Sequence, residues 1–224
     1  MITVTALTPT IRRATPDETD TVAAVLAAAF LHGDLADWLI PHTGTRSRVY
    51  GPYFRIFTEH AQTSGRIDVT DDVCAAAIWY PIGHTVDLDI PAYDTRLAQA
   101  CGEHLNRFVA LDRTMHIHHP TGSPHHYLAF LGVHPDRQRQ GLGRALLDHH
   151  HHQLDTDGIP AYLEATSPRT STLYRRHGYT PQQAYTVPNG PKLHPMWRPP
   201  RTNQARRGDE GPGLPPPITG KERR

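Results

Sequence analysis

The chain has 224 residues, 23 Lys and Arg against 22 Asp and Glu, and 38% hydrophobic side chains, which is room for one domain of about 190 residues with a sizeable core, plus a tail. The longest apolar stretch, Thr21 to Leu31, is too short to span a bilayer, Met1 to Thr10 has no basic segment ahead of an apolar core, and Cys74 and Cys101 fit a reducing compartment, so the cytoplasm is the expected location. Residues 198–224 hold seven Lys and Arg, three acids and six prolines, a net of +4 that leaves about −3 on residues 1–197; this argues against a basic nucleic-acid binder and predicts an N-terminal extension over 1–10, one domain over 11–197 and a disordered Pro/Arg-rich tail over 198–224.

Ile11 to Thr15 reads as the first strand. Thr15-Pro16-Asp17-Glu18 then supplies a cap, a proline at the first helical position and a glutamate three residues on, ahead of apolar residues at helical spacing (Val22, Val25, Leu26, Phe30). A second helical pattern covers Thr45 to Gln62 and closes at Gly65. Arg66 to Val69 and Val73 to Tyr80 read as paired strands around Asp71-Asp72, and Ala92 to Leu111 as a third helix. Strands are predicted at Tyr127 to Val133 and Ala161 to Glu164. Ala184 to Val187 and Lys192 to Trp197 flank Asn189-Gly190, a hairpin signal. Helices interleaved with hairpin strands predict a mixed sheet.

The run from Leu128 to Leu147 carries the strongest chemical signal. An apolar strand passes through His134-Pro135-Asp136-Arg137-Gln138-Arg139-Gln140 into Gly141-Leu142-Gly143-Arg144 and an amphipathic helix. Free backbone N–H groups and the positive end of a helix dipole therefore meet at one point, suited to a pyrophosphate. Gly141 and Gly143 allow close approach of the backbone, while Gln138, Arg139 and Gln140 add donors. No Gly-Lys-Ser/Thr follows, which excludes a Walker loop, and the third glycine and acidic ribose partner of a Rossmann fingerprint are missing.

With Val133 and Pro135 preceding it, the pattern Gln138, Gly141, Gly143 resembles the pyrophosphate loop of GNAT N-acetyltransferases. About thirty residues on, Tyr162-Leu163-Glu164-Ala165-Thr166-Ser167-Pro168-Arg169 and Leu173-Tyr174-Arg175-Arg176-His177-Gly178-Tyr179 resemble the second half of that family's site. Within the family, Ile11 to Thr15 and Tyr162 to Tyr179 are most similar to the puromycin N-acetyltransferase branch. The resemblance implies a GNAT fold, an α/β (α+β) arrangement with a mostly antiparallel mixed sheet of six to seven strands splayed at its centre and helices on both faces. It implies acetyl-CoA as cofactor, held by Leu131, Gly132, Val133, Gln138, Arg139, Gln140, Gly141, Leu142, Gly143, Arg144, Ser167 and Tyr174. The implied reaction is direct attack of an amine on the thioester through a tetrahedral intermediate.

Acetyl transfer needs a neutral amine, a polarised carbonyl and a proton for the departing thiolate. Tyr174 resembles the family's tyrosine beside the cofactor sulfur; the alternative is a core aromatic packed by Leu173. A backbone N–H near Leu131 to Val133 is the expected polariser. Tyr127 to Val133 lacks the strand glutamate that many members carry, so Glu164 on the facing strand is the first candidate base, read equally well as a structural carboxylate; His125 or His126 is second, and solvent third. The acceptor is expected to be a small-molecule amine, a class that extends to antibiotics and other xenobiotics, bound near Phe30, His32, Asp34, Trp38 and Tyr53. A protein amine, or a non-catalytic acyl-CoA-binding role, is the alternative. The histidines at His116 to His126 and His149 to His152 read as structural or solvated, because the first group has no nearby carboxylate in sequence and only His149 and His152 of the second share a helix face, so no metal is expected. No nucleic-acid or membrane partner is expected, and the protein is read as a monomer or homodimer.

Overall fold

The computed structural model describes residues 9–201. Eight strands form its sheet: β1 (Ile11–Arg13), β2 (Arg66–Thr70), β3 (Ala75–Ile82), β4 (His125–Val133), β5 (Ala161–Ala165), β6 (Thr180–Pro181), β7 (Tyr185–Thr186) and β8 (Lys192–Arg198). The order is β1-β2-β3-β4-β5-β8-β6, with β7 also paired to β8, and every pairing is antiparallel except that of β4 with β5. The count exceeds the expected six to seven because β6 is only two residues long, too short to show a periodicity. The hairpin at Asn189-Gly190 forms as predicted, with Tyr185 opposite Leu193.

Strict alternation along β3 sets up a core on each face of the sheet. Ala76, Ile78, Tyr80 and Ile82 point to one side, where they meet α1 (Thr19–Ala29), α3 (Thr43–Ser64), α4 (Tyr93–Cys101) and α5 (Leu105–His118). Ala75, Ala77 and Trp79 point to the other, under α6 (Leu142–Asp157) and beside α7 (Pro168–Arg176). The predicted cap of the first helix forms as a short 3-10 turn at Pro16–Glu18, where Glu18 accepts from the Thr15 N–H at 2.9 Å. Arg12 donates to both Glu18 oxygens at 2.6 and 2.8 Å and holds that carboxyl at about 2.

The predicted single helix over Ala92 to Leu111 is broken. Gly102 has φ +52°, a left-handed conformation that ends α4 and lets α5 start on a new axis. A short helix not evident in the sequence, α2 (Asp34–Leu39), is held over α3 by the buried Arg46, whose guanidinium donates to Leu31 O at 2.5 Å and pairs with Asp37 at 2.7 Å. The domain also runs past residue 197. Arg198 ends β8 only 2% exposed and pairs with Asp155 at 2.6 Å, and the Arg201 N–H donates to the same carboxylate at 2.7 Å, so both belong to the body and not to a tail. Expectations for residues 1–8 and 202–224 lie outside the described residues. Among the described residues no helix is long and apolar enough to cross a membrane.

Candidate active site

The site begins where the sheet comes apart. β4 and β5 pair only at His126–Ala161 and Tyr127–Tyr162, while β4 stays on β3 as far as Val133–Ala75 and β5 stays on β8 as far as Ala165–His194. The pairing of β3 with β4 skips Ala129, a bulge just beyond the last β4–β5 pair that increases local twist. The His134 N–H donates to Cys74 O at 2.8 Å, so antiparallel alternation turns the amides of Val133 and Leu131 the other way, toward the opening. Gln138 Nε2 accordingly reaches Val133 O at 3.2 Å. Gly132 serves a different need: a Cβ there would lie 2.8 Å from Leu26 Cδ2 and 3.0 Å from Ala29 Cβ, so its lack of a side chain lets α1 press on β4.

Below the opening, α6 starts at the predicted glycine loop. Gly141 precedes it at φ +81°, Arg139 is left-handed at φ +64°, and no side chain caps the helix. The first-turn N–H groups have no intrahelical acceptor and no acid stands among them, so the positive helix end is uncompensated. Open space surrounds the position of a Cβ at Gly141. Gln138, Arg139, Gly141, Gly143 and Arg144 line a cavity of about 1320 Å³. Leu142 contributes only main chain, because its side chain is buried under the sheet, and Gln140 turns away to accept from Arg137 Nε at 3.2 Å. Ser167 lines the cavity while capping α7, accepting from the Thr170 N–H at 3.2 Å.

The same cavity is also lined by Glu164 and Tyr174 and by Phe30, His32, Asp34 and Tyr53 of the expected acceptor set. Trp38 is not on its wall. It packs against the hairpin at Gly190, with the guanidinium of Arg107 over its ring at 6.0 Å. Tyr174 sets its ring 5.8 Å from that of Tyr179, and burial pushes its phenol above the ordinary value, which keeps it protonated.

Glu164 is only 2% exposed. Its Oε1 accepts from Tyr162 OH at 2.9 Å and Tyr185 OH at 3.4 Å, while among the described residues no group donates to the buried Oε2. Burial raises the carboxyl to about 7, against the hydrogen bonds of Tyr162, Tyr127 and Tyr185. His119, which the sequence did not single out, brings Nδ1 within 4.0 Å of Oε1; the expectation that the first histidine group lacks a nearby carboxylate is therefore wrong in three dimensions. Ser123 O can only accept, so His125 Nδ1, at 2.7 Å, carries the proton; His125 Nε2 then accepts from His119 Nε2 at 2.9 Å, which leaves His119 Nδ1 bare toward Glu164.

His125 and His126 are not before the strand but in it, and neither lines the cavity. His126 Nδ1 lies 3.0 Å from His150 Nε2, whose Nδ1 lies 3.0 Å from Asp68 Oδ2, with Trp79 stacked on His150 at 4.1 Å. Burial lowers His126 to about 4, so it packs as a neutral ring between β4 and α6. His150 and His151, not His149 and His152, face the core of α6. Among the described residues no group of three His, Cys, Asp or Glu is placed to hold a metal ion.

Residues 98–181 match a family model described as an acetyltransferase (GNAT) domain. The chain has the GNAT fold. A structure of the histone acetyltransferase HPA2 and related acetyltransferase from Corynebacterium glutamicum is similar at 26% identity and a TM-score of 0.67, over 88% of this chain and 99% of that one. At the level of fold alone, two further structures are similar: a mosquito arylalkylamine N-acetyltransferase like 5b (16% identity, TM-score 0.54, 85% and 99% covered) and a PaiA N-acetyltransferase from Thermoplasma acidophilum in complex with coenzyme A (11%, 0.52, 85% and 98%). The loop at Gln138 to Arg144 and the splay beside it lie within the matched residues, and their chemistry fits a CoA-type cofactor: unpaired N–H groups and two arginines for phosphates, and free strand amides for a pantetheine arm.

Proposed function

We propose that this protein transfers the acetyl group of acetyl-CoA to an amine of a small molecule, a class that includes antibiotics and other xenobiotics. The observation that carries this reading is the buried Glu164, with an unpartnered oxygen and a carboxyl near 7, on the wall of a cavity continuous with the anion-binding loop. A carboxyl poised near neutral pH is suited to accept a proton from an ammonium or attacking amine, and an N–H of that amine satisfies Oε2. The acceptor side is an aromatic-lined chamber, which favours a small molecule over a protein chain.

When bound, acetyl-CoA supplies an activated thioester. The N–H groups from Gln138 to Arg144 bind its pyrophosphate, with Arg139 and Arg144 beside the phosphates. With acetyl-CoA bound, the amide of Leu131 or Val133, turned toward the opening, would be the group to polarise its thioester carbonyl. Glu164 takes the amine proton, and Tyr174, held protonated by burial, gives a proton to the departing sulfur. The similarity of Ile11 to Thr15 and Tyr162 to Tyr179 to the puromycin N-acetyltransferase branch supports a xenobiotic acceptor, and the two free cysteines support a cytoplasmic setting. A panel of small amines assayed for release of CoA thiol tests the reading. Acetylation of one or more of them is expected. Binding of acetyl-CoA without thiol release from any amine would make the protein a non-catalytic acyl-CoA binder, and release only with peptide amines would move the acceptor to proteins.

A further inference from the structure

Besides Glu164, a further carboxylate buried in the wall of the cavity is that of Asp112. A continuous run of rings on the cavity wall leads to it: Phe30 to Phe54 at 5.3 Å, Phe54 to Phe130 at 5.1 Å, Phe130 to Phe57 at 5.0 Å and Phe57 to Tyr93 at 5.9 Å between centroids. At the end of this run Tyr93 OH donates to Asp112 Oδ2 at 2.6 Å. Asp112 lies on the cavity wall between Leu111 and Met115. Among the described residues no cationic side chain pairs with it, and burial raises its carboxyl to about 6 with only the Tyr93 hydrogen bond opposing. A carboxylate placed among apolar groups with a single neutral donor is costly to ionise unless a cation joins it.

The cavity rim repeats the preference. Along residues 86–90, Val86, Leu88 and Ile90 are half-buried while Asp87 and Asp89 are exposed, and all of them line the opening. The lobe is thus apolar along its length and negative at its rim and its end, which fits a ligand with an apolar body and a terminal positive charge. Its length follows from α5. Asp112 and His119 are seven residues apart on that helix and its cap, a rise of roughly 10 Å, and His119 Nδ1 stands 4.0 Å from Glu164 Oε1.

We propose that the preferred acceptor is an apolar diamine-type molecule, one nitrogen of which stays protonated on Asp112 while the other is presented, neutral, at Glu164. This rests on the acetyl-transfer reading for its second half only; the cation subsite at Asp112 stands on binding alone. Hexane-1,6-diamine and hexylamine serve as probes, with Asp112→Asn as the variant, since asparagine keeps an oxygen for Tyr93 OH.

In the native enzyme kcat/KM for the diamine is expected to exceed that for hexylamine at least tenfold, about 1.4 kcal/mol, and Asp112→Asn is expected to collapse the ratio. In calorimetry without acetyl-CoA, the folded Asn variant is expected to bind the diamine at least tenfold more weakly than the native protein. Equal kcat/KM for the two amines, or a preference that survives Asp112→Asn, overturns the subsite while leaving acetyl transfer standing. If neither amine releases thiol, the transfer reading fails for this class and the calorimetric comparison still decides Asp112: unchanged diamine affinity in the Asn variant refutes it.

Discussion

Replacing Glu164 with Gln removes the charge but keeps an oxygen for Tyr162 and Tyr185. The native carboxyl is raised from its ordinary 4.5 to about 7, first by burial, with the tyrosine hydrogen bonds acting against that shift. A gap of about 2.5 pH units at about 1.4 kcal/mol each makes ionisation in the fold cost about 3 kcal/mol more than in the unfolded chain. Because the folded value lies above the unfolded one, this contribution to stability is fully present below 4.5 and is lost as pH rises through 7. Urea unfolding at pH 5 and pH 8.5 should therefore show the native protein losing roughly 2 to 3 kcal/mol relative to Glu164→Gln across that interval. The same ionisation predicts a rising limb in kcat/KM with a midpoint near 7, which the Gln variant should lack, along with a rate about 10² to 10⁴ lower. A folded Gln variant with native activity and an unchanged limb refutes Glu164 as base; the protein then captures amine that solvent has already deprotonated.

Tyr174→Phe should lower kcat by about 10² or more while leaving acetyl-CoA affinity near native, measured by steady-state kinetics and titration calorimetry; undiminished turnover reassigns the ring to packing against Tyr179. Gly141→Val forces a β-branched residue to φ +81° and fills the space where phosphate oxygens are to sit, so acetyl-CoA affinity should fall at least tenfold, about 1.4 kcal/mol, in calorimetry. Gly143→Ala, whose Cβ meets only Val133 and Leu131 at 3.7 and 3.9 Å, should spare stability, so any change in its affinity reports on the ligand alone. Gly132→Ala should cost about 1 to 3 kcal/mol in urea unfolding by pushing α1 off β4; native stability would mean that Leu26 yields freely.

The part of the site that the sequence disclosed is the part whose chemistry is local. A helix start needs neighbouring residues only, so Gln138 to Arg144 announced the uncapped start of α6 without knowledge of the fold, and Asn189-Gly190 announced its hairpin in the same way. The fate of a side chain is local only in so far as alternation decides it. His125 and His126 looked interchangeable in sequence, yet adjacent strand residues face opposite sides of the sheet, and that sends one to His119 and the other to His150. Asp112 stayed hidden because the helix carrying it was read as ending at Leu111, whereas the break at Gly102 gives α5 its own axis, on which it runs to His118.

Glu164 is the intermediate case. Its place on the strand facing β4 was legible, but the choice between base and structural carboxylate depends on its desolvation and on hydroxyls from two other residues, Tyr162 on β5 and Tyr185 on β7. Those contacts exist only after the sheet has formed and parted. The arrangement has a physical logic: the hydroxyls satisfy one oxygen and moderate the cost of burial, and burial keeps the carboxyl near neutral pH. The other oxygen has no donor among the described residues and is left for a ligand. A purely structural carboxylate in so dry a place would gain by having both oxygens bonded, and it is this asymmetry, more than the burial, that favours a proton acceptor at Glu164.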